Sequence, residues 1–178
     1  MTNTNEKLYI NVWIGNLGKY NEGELVGEWF TLPCDMEEVA TKIGLNEQYE
    51  EWQINDYETN IKGLEIHHYS DINKLNELAE QLDQLEEHEQ LIFRAYVLDN
   101  GIQDVLRDYD SISFDDAIVY YDVNDMSDVA YQYYDETGLL KQLEEHININ
   151  YIDFEAIGRD MEIEGTFVFI DNHCVQFL

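Results

Sequence analysis

The N-terminal third of the chain is organised around residues 15–30, which read GNLGKYNEGELVGEWF. Residues 8–14 precede this stretch as an apolar run that alternates with a period of two, and residues 28–32 form a second strand-like run. Four glycines between the runs favour a turn, because glycine adopts positive φ at little cost. The turn carries two glutamates, a third opens the second run, and Lys19 is the one base. The stretch therefore predicts two strands joined by a tight connection that presents carboxylates.

The composition describes a folded protein with an extreme charge. Of 178 residues, 44% are hydrophobic and 13% aromatic, so a core can be built and disorder is not expected. Nine Lys and Arg stand against 39 Asp and Glu, which gives a net charge of −30. A surface of that charge repels the phosphates of nucleic acid, which excludes DNA and RNA as ligands. We expect a partner that is basic, or cationic such as a metal ion.

The negative charge is spread along the whole chain. Residues 1–60 carry 12 acids and 3 bases, residues 61–103 carry 9 and 3, and residues 104–178 carry 18 and 3. An acidic tail would concentrate the charge in one block beside a balanced domain. The sequence therefore predicts that the entire folded surface is negative.

Cysteine usage and hydropathy indicate the compartment. Cys34 and Cys174 are the two cysteines, and no metal-ligand spacing surrounds them, which is typical of reduced thiols in a cytosolic protein. The N-terminus lacks a basic and then apolar signal, and no apolar run approaches the length of a membrane span. We expect a soluble cytoplasmic protein with no membrane partner.

Residues 1–60 are predicted to form a small N-terminal α/β domain. Pro33 ends the second strand, and Asp35 is placed to cap a helix that runs to about Ile43, with Gly44 after it. Residues 46–51 are predicted as a short helix and residues 52–57 as a third strand.

Residues 61–110 are predicted to form a helical middle domain. Ser70 is placed to cap a helix whose apolar positions recur every three or four residues. A second helix is expected over residues 87–98 and a short third one over residues 102–109.

Residues 111–178 are predicted to form a C-terminal α/β domain. A strand is expected over residues 117–123, followed by a helix capped by Asn124 or Asp125, with a further helix over 151–161 and a hairpin over 166–178. In the first of these helices Met126, Val129, Ala130 and Tyr133 are expected to face inward. The fold class is therefore α+β, as an elongated chain of three small domains.

Catalytic and metal-binding patterns fail on inspection of their spacing. A calcium loop starting at Asp122 would place Met126, Ser127 and Tyr133 at positions that need an oxygen ligand, Gly and Glu. Adjacent carboxylates such as Asp115 and Asp116 follow from abundance alone. The sequence therefore predicts a protein that is not an enzyme and that uses no metal or cofactor.

Negative charge can itself be the function. Duplex DNA carries one charge per about 1.7 Å of axis, so 30 net charges match about 51 Å of duplex, whereas a compact globule of this length has a radius of gyration near 16 Å. Small domains in a row would relieve self-repulsion and imitate the charge line of DNA. An acidic protein of a halophile and an acidic inhibitor of another basic protein remain open as alternatives.

Twenty carboxylates are the candidate phosphate mimics on such a surface. They are Glu22, Glu24, Glu28, Glu37, Glu38, Glu47, Glu50, Glu51, Glu77, Glu80, Asp83, Asp115, Asp116, Asp122, Asp128, Asp135, Glu136, Glu144, Glu145 and Asp153.

The stretch LGKYNEGELVG at residues 17–27, with Trp29 one residue later, closely resembles the N-terminal signature of the ArdA family of antirestriction proteins. Further similarity lies at residues 29–31, 37–39 and 42–46 and, near the C-terminus, at 128–130, 136–138, 150–153, 158–160 and 165–167. Residues 139–154 resemble the family's antirestriction motif.

The resemblance implies an elongated, curved protein of three domains that dimerises through its C-terminal domain and mimics bent B-form DNA. It implies that the protein occupies the DNA-binding groove of type I restriction–modification enzymes, blocking restriction and often modification. It also implies carriage on conjugative mobile elements.

Overall fold

The computed structural model describes residues 7–101, 109 and 112–178, which form a mixed α and β structure with two three-stranded antiparallel sheets. The α+β class expected from the sequence is confirmed. In chain order the elements are β1 (Ile10–Asn16), α1 (Leu17–Asn21), β2 (Gly27–Thr31), α2 (Met36–Lys42), β3 (Trp52–Thr59), α3 (Ile72–Leu82), α4 (Glu87–Asn100), β4 (Ala117–Tyr120), α5 (Met126–Glu136), α6 (Leu139–Glu144), a 3₁₀ turn (Ile149–Tyr151), α7 (Phe154–Glu164), β5 (Thr166–Ile170) and β6 (His173–Phe177).

The described residues group into two compact units. The N-terminal unit contains residues 7–90 with the described part of 96–112, and the C-terminal unit contains Leu91–Ala95 and Ser113–Leu178. The division into domains at 1–60, 61–110 and 111–178 stays a prediction.

In the N-terminal unit, β1 is the central strand of the order β2-β1-β3. One face of β1 is apolar, and its Val12 and Ile14 are fully buried together with Val39 of α2. Asp35 caps α2 by accepting from the Glu37 N–H at 2.9 Å, and Gly44 beyond its end has φ +72°. The predicted alternation of β1, the second strand and the capped helix are therefore confirmed.

The predicted single turn between the first two strands is wrong. Strand β1 continues through Gly15 to Asn16, and the short helix α1 follows, with Asn16 as its N-cap accepting from the Lys19 N–H at 3.0 Å. Of the four glycines only Gly23 has positive φ, at +87°. The others are needed for close approach, since a Cβ on Gly18 would contact the Tyr49 ring.

The predicted helix over residues 46–51 is also wrong. Asn46 and Tyr49 form an isolated antiparallel bridge, with two backbone hydrogen bonds of 2.9 Å. The Asn46 side chain accepts from the Gln48 N–H at 2.9 Å, and such local bonding offers the backbone an alternative to helix. The third strand predicted from Trp52 is present as β3.

The helical character predicted for residues 61–110 is confirmed in α3 and α4. The apolar stripe of α3 is buried, with Leu75 and Leu82 each 1% exposed. Ser70 is not the cap; Asp71 caps α3 by accepting from the Asn73 N–H, while the Ser70 hydroxyl accepts from the His67 N–H. The predicted helix at 102–109 lies almost entirely outside the described residues.

The C-terminal unit is built on a sheet of order β4-β6-β5, with the predicted hairpin β5–β6 turning at Asp171, whose φ is +52°. Strand β4 is shorter than expected and ends at Tyr120. The buried cluster of the unit contains Tyr120, Val123, Met126, Val129 and Cys174.

Helices α5 and α7 pack closely in this unit. Gly158 is buried on α7, and a Cβ there would overlap the backbone carbonyl of Met126, so only glycine permits this approach. Asp125 is the α5 cap, as one of two residues predicted. The expectation that Tyr133 faces inward is wrong, because it is 37% exposed, and a phenol can keep its hydroxyl in water while its ring covers apolar surface.

The helix predicted over 151–161 begins later, at Phe154. Asp153 accepts from the Ala156 N–H at 2.9 Å and caps it, which places Tyr151 before the helix in a 3₁₀ turn.

Candidate functional site

The twenty carboxylates predicted to face a partner lie at the surface. All of them are exposed except Asp128, which is half-buried. They differ in what surrounds them: some are paired with a base, some accept hydrogen bonds that hold turns and helix starts, and the rest form no such contact in the described part of the chain.

Lys19 neutralises part of the acidic charge of the N-terminal signature. Its Nζ lies 3.5 Å from Glu22 and 3.3 Å from Glu24, and 4.6 Å from the centre of the Tyr49 ring. Hydrogen bonds to Tyr49 and Glu24 raise the pKa of Lys19. The Tyr49 hydroxyl also donates to Glu22 at 2.9 Å. Glu22 and Glu24 therefore brace this corner of the fold.

Two other lysines engage predicted carboxylates in the same unit. Lys42 Nζ lies 3.1 Å from Glu38 and 3.7 Å from Glu28, and the bond to Glu38 is the main cause of its raised pKa. Lys7 Nζ lies 3.1 Å from Asp83. Five of the twenty carboxylates are thus compensated within the chain.

Four more carboxylates accept hydrogen bonds in the C-terminal unit. Asp116 accepts from the Ser113 hydroxyl, Asp122 from the Asn172 amide, Asp128 from the Asn124 N–H and Asp153 from the Ala156 N–H. These four stabilise turns and helix starts, which the sequence analysis did not anticipate.

Eleven carboxylates remain whose side chains form no ion pair or hydrogen bond in the described part of the chain. They are Glu37, Glu47, Glu50, Glu51, Glu77, Glu80, Asp115, Asp135, Glu136, Glu144 and Glu145.

The positions of these eleven follow from the elements that carry them. Glu77 and Glu80 lie on the outer side of α3, opposite its buried leucines, as predicted. The residues at 47, 50 and 51 do not share a helix face, because the helix predicted there does not form. Asp135 and Glu136 end α5, and Glu144 ends α6.

Acids at helix C-termini are unfavourable for the helix itself. The C-terminal end of a helix carries partial negative charge and favours cations. Helix α5 nevertheless ends in Asp135 and Glu136 with no base in its last turn. These two carboxylates therefore lack a structural explanation in the fold.

A cleft of about 530 Å³ lies in the C-terminal unit, and sequence reasoning missed most of the residues that form it. It is lined by Asn124, Asp125, Met126, Ser127, Glu155, Arg159, Glu162 and Phe169. Arg159 is exposed, and no carboxylate of the described residues lies within 4 Å of it. Two sequence signals could have singled it out: the scarcity of basic residues and the family resemblance at residues 158–160.

Neither cysteine thiol is activated as a nucleophile. Burial raises the pKa of the Cys34 thiol, and burial raises that of Cys174 to about 12, so both thiols stay protonated at neutral pH. Within residues 7–101, 109 and 112–178, no three His, Cys, Asp or Glu side chains are grouped in a way that could hold a metal ion.

None of the described helices is long and apolar enough to cross a membrane.

The sequence model of a family described as antirestriction protein (ArdA) matches residues 12–176 of the 178. No curated protein matches the chain.

Proposed function

The chain belongs to the ArdA family of antirestriction proteins, and we propose that it acts as a mimic of B-form DNA. In this proposal it occupies the DNA-binding groove of the methyltransferase core of a type I restriction–modification enzyme, in the cytoplasm and without turnover. Both restriction and modification are blocked, because both need the same groove. Carriage on a conjugative element fits this role, since incoming DNA would be protected.

The observation that supports mimicry is the set of eleven exposed carboxylates with no partner in the described part of the chain. Acids are favourable in the first turn of a helix, where Glu37 of α2 lies, and unfavourable in the last turn. Here Asp135 and Glu136 stand at the unfavourable end of α5. A groove built to bind phosphates through Lys and Arg would supply the missing cations.

The inhibitory species is proposed to be a homodimer formed through the C-terminal domain. Several large apolar side chains of that region are exposed, among them Tyr151 at 85% and Ile163 at 79%. Burying such side chains between two copies would be favourable at roughly 25 cal/mol per Å². Light scattering at micromolar concentration tests this: a monomer mass would reject the dimer and leave mimicry to be tested separately.

A competition experiment tests mimicry directly. A type I methyltransferase core is bound to a labelled DNA duplex and titrated with this protein at two salt concentrations. We expect displacement at a fixed stoichiometry per enzyme, and weaker displacement as salt rises, since the attraction between exposed charges is screened. Failure to displace DNA from several such enzymes at low salt would refute the proposal.

Carboxylate substitutions test whether the effect is distributed. Single changes such as Glu77→Gln are expected to leave inhibition within about fivefold, because one exposed pair is worth less than about 1 kcal/mol. Neutralising six or more carboxylates on one face is expected to weaken inhibition strongly. Complete loss of inhibition from one exposed substitution, in a folded protein, would contradict a distributed mechanism.

A further inference from the structure

The outer face of the N-terminal sheet has an ordered set of side chains that the charge argument does not use. Strand register places Trp29, Trp13 and Asp56 in one row across the three strands, and Thr31, Asn11 and Glu58 in the next. Neighbouring strands are about 4.8 Å apart, so each row spans about 10 Å. We call this the Trp13–Trp29 face.

Two glycines hold the Trp13 ring against the sheet. The row on the other side of the tryptophans contains Gly15 and Gly27. The six-membered ring of Trp13 occupies the space where a Cβ of either glycine would lie. Neither glycine has positive φ, so their role here is close approach of the ring to the backbone. The indole is therefore seated on the sheet, and the two glycines explain why no larger residue stands at 15 or 27.

Both indoles remain accessible although tryptophan is ordinarily among the most buried large side chains. Trp13 is half-buried and Trp29 is 42% exposed. In the same unit, Lys19 lies over the Tyr49 ring and Lys42 over the Phe30 ring, at 4.6 and 5.4 Å. Among the described residues, no cation lies over either tryptophan of this face.

The chemistry of the face selects a cation. The π face of an indole attracts Arg and Lys more strongly than that of the other aromatic side chains. Asp56 and Glu58 add two carboxylates to the same face, and neither forms an ion pair in the described part of the chain. A second copy of this chain offers few cations to this face, because only nine of its 178 residues are Lys or Arg.

We propose that the Trp13–Trp29 face binds an arginine side chain on the basic surface of the partner enzyme. The inference rests on the proposed function and adds to it a contact of a different kind. A guanidinium stacks on an indole while donating to a carboxylate, and Trp and Arg are the residues most enriched in the energetic centres of interfaces. Such a contact is desolvated on binding, so it is screened by salt less than the surrounding carboxylates are.

The test is the DNA-displacement assay with the full chain and three substitutions at one position. Trp29→Ala and Trp29→Leu are expected to weaken displacement about tenfold, whereas Trp29→Phe retains a π face and is expected to lose about threefold or less. The matched control is Tyr69→Ala, which removes a ring that is 83% exposed in the same unit, and it should stay within about twofold.

Salt dependence separates the two kinds of contact. The deficit of Trp29→Leu relative to the native chain should persist at about 0.5 M salt, where the Debye length is only a few ångströms. Thermal unfolding of each variant identifies any that fails to fold. The conclusion then depends on the difference in displacement between Trp29→Leu and Trp29→Phe.

The outcomes distinguish the two proposals. If the native chain displaces DNA and all three variants do so equally well, the arginine site is refuted while mimicry stands. If the native chain displaces no DNA, mimicry fails, and the face is then tested by titrating the protein with a hexa-arginine peptide and following tryptophan emission. Binding that Trp29→Leu loses and Trp29→Phe keeps would support the face, and equal binding by both variants would overturn it.

Discussion

The first sixty residues and the C-terminal unit use acidic side chains differently. In the first region Lys19 and Lys42 each contact two glutamates, so four of the predicted carboxylates serve as internal bracing. Among the described residues of the C-terminal unit, Lys141 and Arg159 form no ion pair, and the side chains of Asp135, Glu136, Glu144 and Glu145 form no ion pair or hydrogen bond. Carboxylates with the same formal charge therefore differ in how much of that charge is left to attract a partner.

The largest expected effect concerns the close approach of α5 and α7. Gly158→Ala should lower the free energy of unfolding by about 2 kcal/mol or more, because the new methyl overlaps the Met126 carbonyl in a packed interface. Urea unfolding followed by circular dichroism measures it. Asp160→Ala, exposed on the same helix, should stay within about 0.5 kcal/mol. A Gly158→Ala variant as stable as the native chain would show that the helices can separate without cost.

A somewhat smaller effect is expected in the N-terminal corner, where the buried side-chain amide of Asn16 joins the end of β1 to the residues after α2. Asn16 is 1% exposed; its Nδ2 donates to the Ile43 and Gly44 carbonyls, and its Oδ1 accepts from the Lys19 N–H. Asn16→Ala should cost about 2 kcal/mol, since these backbone groups lose their partner inside the protein. Calorimetry provides the measurement.

The control for the corner is Asn21→Ala at the end of α1, where the side chain is exposed and forms no hydrogen bond in the described part of the chain. Equal melting temperatures for Asn16→Ala and Asn21→Ala would mean that the corner is not held by this amide.

Two sets of four substitutions compare the regions at equal change of net charge. One set is Asp135→Asn with Glu136→Gln, Glu144→Gln and Glu145→Gln, and the other is Glu22→Gln with Glu24→Gln, Glu28→Gln and Glu38→Gln. We expect about tenfold weaker displacement of DNA for the first and about threefold or less for the second, because the second set removes charges that lysines already offset. Equal losses would indicate that net charge alone governs inhibition.

The smallest expected effect is a pH dependence at the start of α5. Hydrogen bonds from Ser127 and from the Asp128 N–H lower the pKa of Asp125. A carboxyl whose pKa is lower in the folded state stabilises the fold above its unfolded pKa near 4, and that contribution disappears as pH falls through the folded value. Asp125→Asn keeps a capping oxygen without this titration, so its melting temperature should fall less than that of the native chain between pH 5 and 3. Parallel curves would remove Asp125 from the acid response.

Local pattern was sufficient for the elements whose signals lie within a few residues. The alternation of β1, the cap at Asp35 and the leucine stripe of α3 each reflect one period or one hydrogen bond. The helix predicted at residues 46–51 is absent, because the Asn46 side chain bonds to the backbone instead. Tyr133 has helical spacing but is exposed, because its phenol hydroxyl can stay in water. For the twenty carboxylates, the sequence predicted that they lie at the surface, because acids are so abundant. It did not predict which of them form ion pairs or hydrogen bonds within the chain.

The sequence by itself determined the charge, the α+β class and the family, because composition, periodicity and an unbroken signature are properties of the chain. The tertiary structure decided which distant side chains meet, as Lys42 with Glu28, Lys19 with Tyr49 and Trp13 with Gly27 show. These pairs are separated by 14 to 30 residues and meet only when strands and turns have formed. The physical reason is that ion pairs and ring contacts act over a few ångströms, a distance that sequence separation does not report.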